Sequence, residues 1–325
     1  MRPALLSVRD LRIVFDGRNG PLTALDGVSF EIAPGEILGV VGESGAGKSL
    51  TGTAVIGLLD PPGRIAGGEI HLGGERIDHL SPERMRRLRG RQIGAVFQDP
   101  LTSLHPLLTV GQQLIETITT HLAVSRSEAR TRALALLKEV GIPAAETRID
   151  QYPHQFSGGM RQRVVIALAL CAEPKLIIAD EPTTALDVSI QAQITTLLKR
   201  LCREHGTAIM LVTHDMGVIA ETADRVAVMY AGRVVEIGPV EEVTRRPHHP
   251  YTAGLMASIP SVHARHATLN QIDGAMPRLT AIPTGCAFNP RCGRAQDVCR
   301  AERPVLPIAA HAAACHLPLK EPAHA

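Results

Sequence analysis

Between residues 5 and 237, short apolar runs alternate with stretches of helical periodicity, the order expected when buried strands are joined by crossover helices. The runs EILGVV (36–41), KLIIAD (175–180) and AIMLVT (208–213) predict buried strands, and residues 191–204 predict a helix between the last two. Together they predict an α/β fold built on a largely parallel sheet. A helical insert is expected over about residues 90–170. Within it Ser125 and Glu128 read as a capping box, Ala129, Ala133, Leu136, Leu137 and Val140 share one face, and Gly141 with Pro143 ends the run. No run reaches the roughly 18 consecutive apolar residues of a membrane helix, so the chain is not expected to span a bilayer. The opening MRPALLSVRD has no apolar segment of signal-peptide length, which predicts a cytosolic chain.

The pattern changes at Pro239. Residues 239–325 hold 11 of the 23 prolines, half of the 14 histidines and four of the six cysteines, which divides the chain into a domain over 1–238 and a small Cys/Pro-rich extension over 239–325. A formal charge of +2 supplies no basic footprint, and eight aromatic residues without a tryptophan supply no stacking platform, so no nucleic-acid partner is expected. Arg84, Arg86, Arg87, Arg89 and Arg91 read as a solvated face.

The chemistry concentrates after the first predicted strand. GESGAGKS (42–49) fits G-x-x-x-x-G-K-[ST] at every fixed position. Backbone N–H groups of Gly42, Glu43, Ser44, Gly45, Ala46 and Gly47 would converge on phosphate oxygens at the start of a helix. Lys48 would reach the β and γ phosphates, and the Ser49 hydroxyl would bind Mg²⁺. At the end of KLIIAD, Asp180 would place a carboxylate beside that metal, and Glu181 would orient or deprotonate an attacking water. Alone, a glycine turn or an acidic strand end is structural; the ordered pair points to ATP and Mg²⁺.

The stretch SGGMRQR (157–163) resembles the signature motif of ATP-binding-cassette (ABC) ATPases, with Met160 where many members have Gln. In the expected order, Gln98 in VFQDP resembles the Q-loop, Ala185, Leu186 and Asp187 the D-loop, and His214 in VTHD the switch histidine, while Phe15 stands where an aromatic residue stacks on adenine. The resemblance implies a P-loop NTPase core of ABC type with a helical subdomain. It further implies two such domains closing head to tail, so that Ser157, Gly158, Gly159 and Met160 serve the partner's nucleotide. Gln98 would then contact Mg²⁺ and water, and His214 the γ-phosphate.

HHPYTAGLMASIP (248–260), PRL (277–279) and GCAFNPRC (285–292) resemble the C-terminal extension of ATPases that serve dipeptide and oligopeptide importers, and His105 in SLHP stands where Asn is more usual. This implies a motor subunit held peripherally at the cytoplasmic face of the inner membrane. Its implied partners are a second, homologous ATPase subunit, two membrane permease subunits and, indirectly, a solute-binding protein. Importers of nickel, glutathione or another small solute share the tail, and a soluble ABC ATPase of phosphonate metabolism is a further alternative. Cys286, Cys292, Cys299 and Cys315 are separated by five, six and fifteen residues, unlike the paired spacing of a zinc ribbon, and a cytosolic setting disfavours disulfides. Four thiolates suit a [4Fe–4S] cluster, which the resemblance also implies, with zinc or unmetallated thiols as alternatives. Cys171 and Cys202 read as packing residues.

Overall fold

A computed structural model describes residues 3–17, 20–184, 186–259 and 271–319. The described strands are β1 (Leu6–Gly17), β2 (Gly20–Ile32), β3 (Ile37–Val41), β4 (Gly63–Leu72), β5 (Glu75–Arg76), β6 (Ile93–Val96), β7 (Leu176–Asp180), β8 (Ala208–Val212), β9 (Arg225–Tyr230), β10 (Arg233–Pro239) and β11 (Ala312–Ala313). The chain divides into two compact units. One comprises residues up to Leu6, Ile32–Ile37 and His79–Val212; the other comprises Ser7–Glu31, Leu38–Asp78 and the chain from Thr213 onward.

In the first unit β6, β7 and β8 run parallel, with Ile93 opposite Leu176 and Leu176 opposite Ala208. The residues of β7 before Asp180, and all of β8, are buried, which explains why both read as continuous apolar runs rather than alternating ones. Helices Val110–His121, Arg126–Glu139 and Gly158–Leu170 pack on one another through Leu114, Ile118, Ala129, Ala133, Leu137 and Val164, all fully buried. Only half of the expected capping box forms at Ser125. Its hydroxyl accepts the Glu128 N–H at 3.2 Å, but the Glu128 carboxylate turns to Arg132 at 2.9 Å, a charge-assisted bond that outcompetes the backbone. The complete box lies one helix earlier, between Thr109 and Gln112. In the arginine stretch Arg86 and Arg87 pair with Glu83 in solvent, as expected of a solvated face, while Arg91 donates to the Ala172 carbonyl at 3.0 Å.

The second unit holds a four-stranded sheet ordered β2-β1-β4-β5 and the strands β11-β10-β9-β3. Here β3 is parallel to β9, from Leu38 opposite Arg225 to Val41 opposite Val228, and β9, β10 and β11 are antiparallel. The C-terminal residues are fastened to β10. Glu236, fully buried, accepts the N–H groups of His248 and His249 at 2.7 and 2.9 Å and pairs with His311 Nε2 at 2.6 Å. Helix Pro250–Ala257 starts there, with proline in its first turn and His249 as N-cap. The rings of Tyr230, Tyr251 and Phe288 meet edge-on or tilted at 4.7 to 5.3 Å, the arrangement that aromatic quadrupoles favour. No described helix is long and apolar enough to cross a membrane.

Candidate functional site

The phosphate loop follows directly from β3, whose five residues are all buried. Gly42 and Gly47 have φ of 151° and 101°, and both face neighbours that leave no room for a side chain: a Cβ on Gly42 would strike the Met229 carbonyl, and one on Gly47 would lie 2.5 Å from Leu25 Cδ2. Helix Lys48–Val55 begins at that glycine, which as N-cap has no side chain to cap the helix. Lys48 is 6% exposed, and its Nζ donates to the carbonyls of Gly42 and Glu43 at 2.9 and 3.1 Å, which curls the ammonium back over the loop. Ser44, Gly45 and Ser49 are exposed, Ala46 is buried and Gly47 half-buried. Also in this unit, Phe15 lies half-buried on β1 with Gly63 beneath its ring, where a Cβ would come 2.8 Å from Cε1. His214 is exposed, immediately before Asp215, whose carboxylate caps helix Met216–Thr222 by accepting the N–H groups of Gly217 and Val218.

In the first unit Asp180 ends β7 half-buried, and Glu181 follows in a left-handed conformation, φ 48°, that costs a non-glycine residue about 1–3 kcal/mol. Its N–H donates to the Val212 carbonyl at 2.8 Å. Its Oε2 accepts the Thr184 hydroxyl at 2.8 Å and the Gln98 amide at 3.0 Å. The strain is thus matched by bonds that aim one carboxylate, with a glutamine 83 residues away in sequence fixing its direction. In the sequence nothing marks Thr184 except its position three residues after the glutamate.

The same unit carries the signature stretch. Ser157 caps helix Gly158–Leu170 by accepting the Met160 N–H at 3.4 Å, and in the first turn Gly158 is exposed while Gly159 and Met160 are half-buried. A Cβ on Gly159 would lie 2.8 Å from Ile190 Cγ2, so the glycine lets this turn approach the helix that Asp187 caps. Asp187 Oδ1 accepts the Ile190 N–H at 2.9 Å. Ala185 lies outside the described residues. Cys171 and Cys202 are buried, with the Cys171 thiol pushed up to about 12 by burial, in keeping with packing roles.

The four tail cysteines are free thiols gathered in the second unit. The Cys286 N–H donates to the Cys299 carbonyl at 2.8 Å. Burial, then the neighbouring charges of Cys315, Cys292 and Cys299, raise the Cys286 thiol; burial, then Cys292 and Cys299, raise Cys315. Four thiols without disulfides form a donor set that suits a soft metal centre. A single zinc would draw its thiolates to about 3.8 Å apart, given Zn–S bonds of about 2.3 Å. Among the described residues the group with atoms that close, within 4.8 Å, is instead Glu236, His248 and His311. There the imidazoles of His248 and His311 are stacked at 3.8 Å and 11°. Near-parallel ring planes do not meet, so one ion cannot lie in both; the trio reads as a structural clasp.

Residues 25–184 match the family model described as ABC transporter, and residues 235–299 match the one described as oligopeptide/dipeptide transporter, C-terminal region. The dipeptide transport ATP-binding protein DppD of Haemophilus influenzae is 46% identical over 319 residues, 98% of this chain and 97% of that protein. The oligopeptide transport ATP-binding proteins OppD of Escherichia coli and Bacillus subtilis are 48% and 51% identical, over 93% and 90% of this chain and 89% and 83% of theirs. The chain belongs to the ABC dipeptide and oligopeptide transport ATP-binding proteins. Among solved structures, the dimeric ATP-binding cassette MJ0796 in a post-hydrolysis state with ADP and Pi superposes with a TM-score of 0.65 at 31% identity, covering 72% of this chain and 98% of that one. CbiO1 of Clostridium perfringens, part of the transporter complex cbiONQ, gives 0.65 at 32%, covering 75% and 91%. The fold is therefore that of an ABC ATPase, and the oligopeptide/dipeptide match over 235–299 takes in Cys286, Cys292 and Cys299 of this ABC family member, with Cys315 beyond it.

Proposed function

We propose that this chain is the ATP-hydrolysing motor of an ABC importer for dipeptides or oligopeptides, held peripherally at the inner membrane's cytoplasmic face by two permease subunits. The observation that carries the reading is near-full-length identity with dipeptide and oligopeptide transport ATP-binding proteins, tail included; it favours peptides over the nickel, glutathione and phosphonate alternatives. In this reading residues 1–238 are the catalytic part and 239–325 the importer-type extension.

The 42–49 loop binds the ATP phosphates with Lys48 and with its backbone N–H groups other than those of Glu43 and Ala46, which the fold gives instead to the Tyr251 hydroxyl and the Glu43 carbonyl, and Phe15 stacks on adenine. Ser49, Asp180 and Gln98 offer oxygen donors alone, the set that suits Mg²⁺, which would neutralise phosphate charge. Glu181 serves as the base that positions water, held by Gln98 and Thr184, and His214 contacts the γ-phosphate. Ser157, Gly158, Gly159 and Met160, with Asp187 behind them, serve the nucleotide of a second, homologous ATPase subunit, so ATP closes the pair and hydrolysis releases it. Replacing Glu181 by Gln is expected to lower steady-state ATP hydrolysis by about 10²-fold or more while ATP still binds. Unchanged turnover would remove Glu181 from the role of base.

The tail thiols Cys286, Cys292, Cys299 and Cys315 are read as ligands of a [4Fe–4S] cluster. Support comes from the all-thiol donor set, free of disulfides, which is the ligand type such a cluster takes. Anaerobic purification is expected to give a coloured protein with about four irons per chain. A colourless, iron-free sample carrying stoichiometric zinc overturns this.

A further inference from the structure

Glu43 is an unexpected residue in a loop that holds an anion, because its carboxylate adds negative charge beside the place where phosphates would lie. The structure shows what offsets it. Arg291, from the C-terminal extension, sets Nη1 3.1 Å from both carboxylate oxygens of Glu43. The guanidinium is only 7% exposed and cannot swing away: Nε and Nη2 donate to the carbonyls of Asp273 and Ile272 at 2.8 and 3.1 Å, and the rings of Tyr230 and Phe288 flank it at 5.8 and 5.9 Å. A second tail residue holds the backbone of the same glutamate, since the Glu43 N–H donates to the Tyr251 hydroxyl at 2.9 Å. Tyr251 is fully buried, and burial raises its hydroxyl well above the usual phenol range, so it stays a neutral acceptor.

We propose that Arg291 and Tyr251 are positioning residues for the phosphate loop: the extension neutralises and fixes Glu43 so that the loop accepts nucleotide, and ATP affinity therefore depends on the fold of the cysteine segment. The link to the cysteines is covalent and short. Arg291 precedes Cys292, and from Cys286 a run of tight turns, Asn289 N–H to the Cys286 carbonyl, Arg291 N–H to the Phe288 carbonyl and Cys292 N–H to the Asn289 carbonyl, passes through it. A change in the backbone path between those two cysteines moves the residue that neutralises Glu43. The inference rests on the reading of residues 42–49 as the ATP site.

The test is equilibrium binding of a fluorescent ATP analogue to the full-length protein. Arg291→Ala is expected to weaken binding about tenfold or more, because it leaves a carboxylate unpaired in an anion site, and Arg291→Lys to fall between, having charge without the fork. Adding Glu43→Gln to Arg291→Ala should restore affinity to within about threefold of the original chain, which repair of a merely misfolded tail would not do. Cys292→Ser should weaken binding in the original chain and add nothing in the Arg291→Ala, Glu43→Gln pair. Wild-type affinity in Arg291→Ala, or no restoration by Glu43→Gln, overturns the brace, and wild-type affinity in Cys292→Ser overturns its tie to the cysteines. Lys48→Ala separates the two readings: if it keeps full ATP affinity, the assignment of the loop itself has failed, whereas its loss beside an unaffected Arg291→Ala rejects only the brace.

Discussion

The two acidic residues nearest the chemistry are held in opposite ways. Glu43 of the phosphate loop takes its partners from residues 208 and 248 positions further along the chain, Tyr251 and Arg291, both buried. Glu181, at the end of β7, takes a hydroxyl from Thr184 only three residues on and an amide from Gln98, in a half-exposed setting. The first arrangement is long-range, desolvated and crowded, with glycines forced into place by Met229 and Leu25. The second is a strained backbone position whose side chain is steered by a few bonds near solvent. A binding loop gains from being finished before its ligand arrives, because ordering it then costs nothing at the moment of binding. A group with the role proposed for Glu181, which is to meet water and a leaving phosphate, gains from bonds that small movements can remake.

That contrast is broken most sharply at Gly47. Alanine there must adopt φ near 101° and displace Leu25, so Gly47→Ala is expected to cost about 1–3 kcal/mol of stability and to weaken ATP binding by roughly a hundredfold, as the loop and the start of its helix shift together. Thermal melting and fluorescent-nucleotide titration check both. Glu181→Gln, by contrast, should leave melting within about 1 kcal/mol of the original, since glutamine still accepts at one oxygen. If Gly47→Ala binds ATP as well as the original chain, the loop is not preorganised and the comparison fails.

Much of the first arrangement's interior was legible from sequence. Four fixed positions in eight residues, between a buried strand and a helix, specify the loop because glycine, lysine and serine each meet a separate geometric demand. The strands KLIIAD and AIMLVT were legible because burial on both faces leaves an uninterrupted apolar run. What the sequence hides is the company these elements keep. Nothing local ties Arg291 to Glu43, since the tie depends on β10 and β11 pairing and on Glu236 collecting His248, His249 and His311. Gln98 shows as a polar residue after a strand, and only its bond to Glu181 gives it direction. Local competition also misleads: Ser125 and Glu128 have the spacing of a capping box, but Arg132 one turn on takes the carboxylate.

The smallest effect concerns the clasp that keeps Tyr251 in place. His249 is 1% exposed; its Nδ1 accepts the Tyr251 N–H at 3.0 Å, which puts the ring proton on Nε2, a buried atom with no partner. Burial lowers its pKa to about 4, against 6.5 for an exposed imidazole. The folded chain therefore refuses a proton that the unfolded chain accepts, so this contribution is complete above pH 6.5 and is lost as pH falls from 6.5 towards 4. Over the whole interval the loss amounts to roughly 3 kcal/mol, and at pH 5 to about 2 kcal/mol. Asparagine at 249 keeps an oxygen to cap the helix and has nothing to titrate, so His249→Asn should lose about 2 kcal/mol less than the original chain between pH 7.5 and 5 in urea unfolding. Equal losses in the two proteins would mean that the imidazole takes up its proton without opening the clasp. The Glu43–Tyr251 contact would then survive acid, and the loop would be braced by Arg291 rather than by the buried histidine turn.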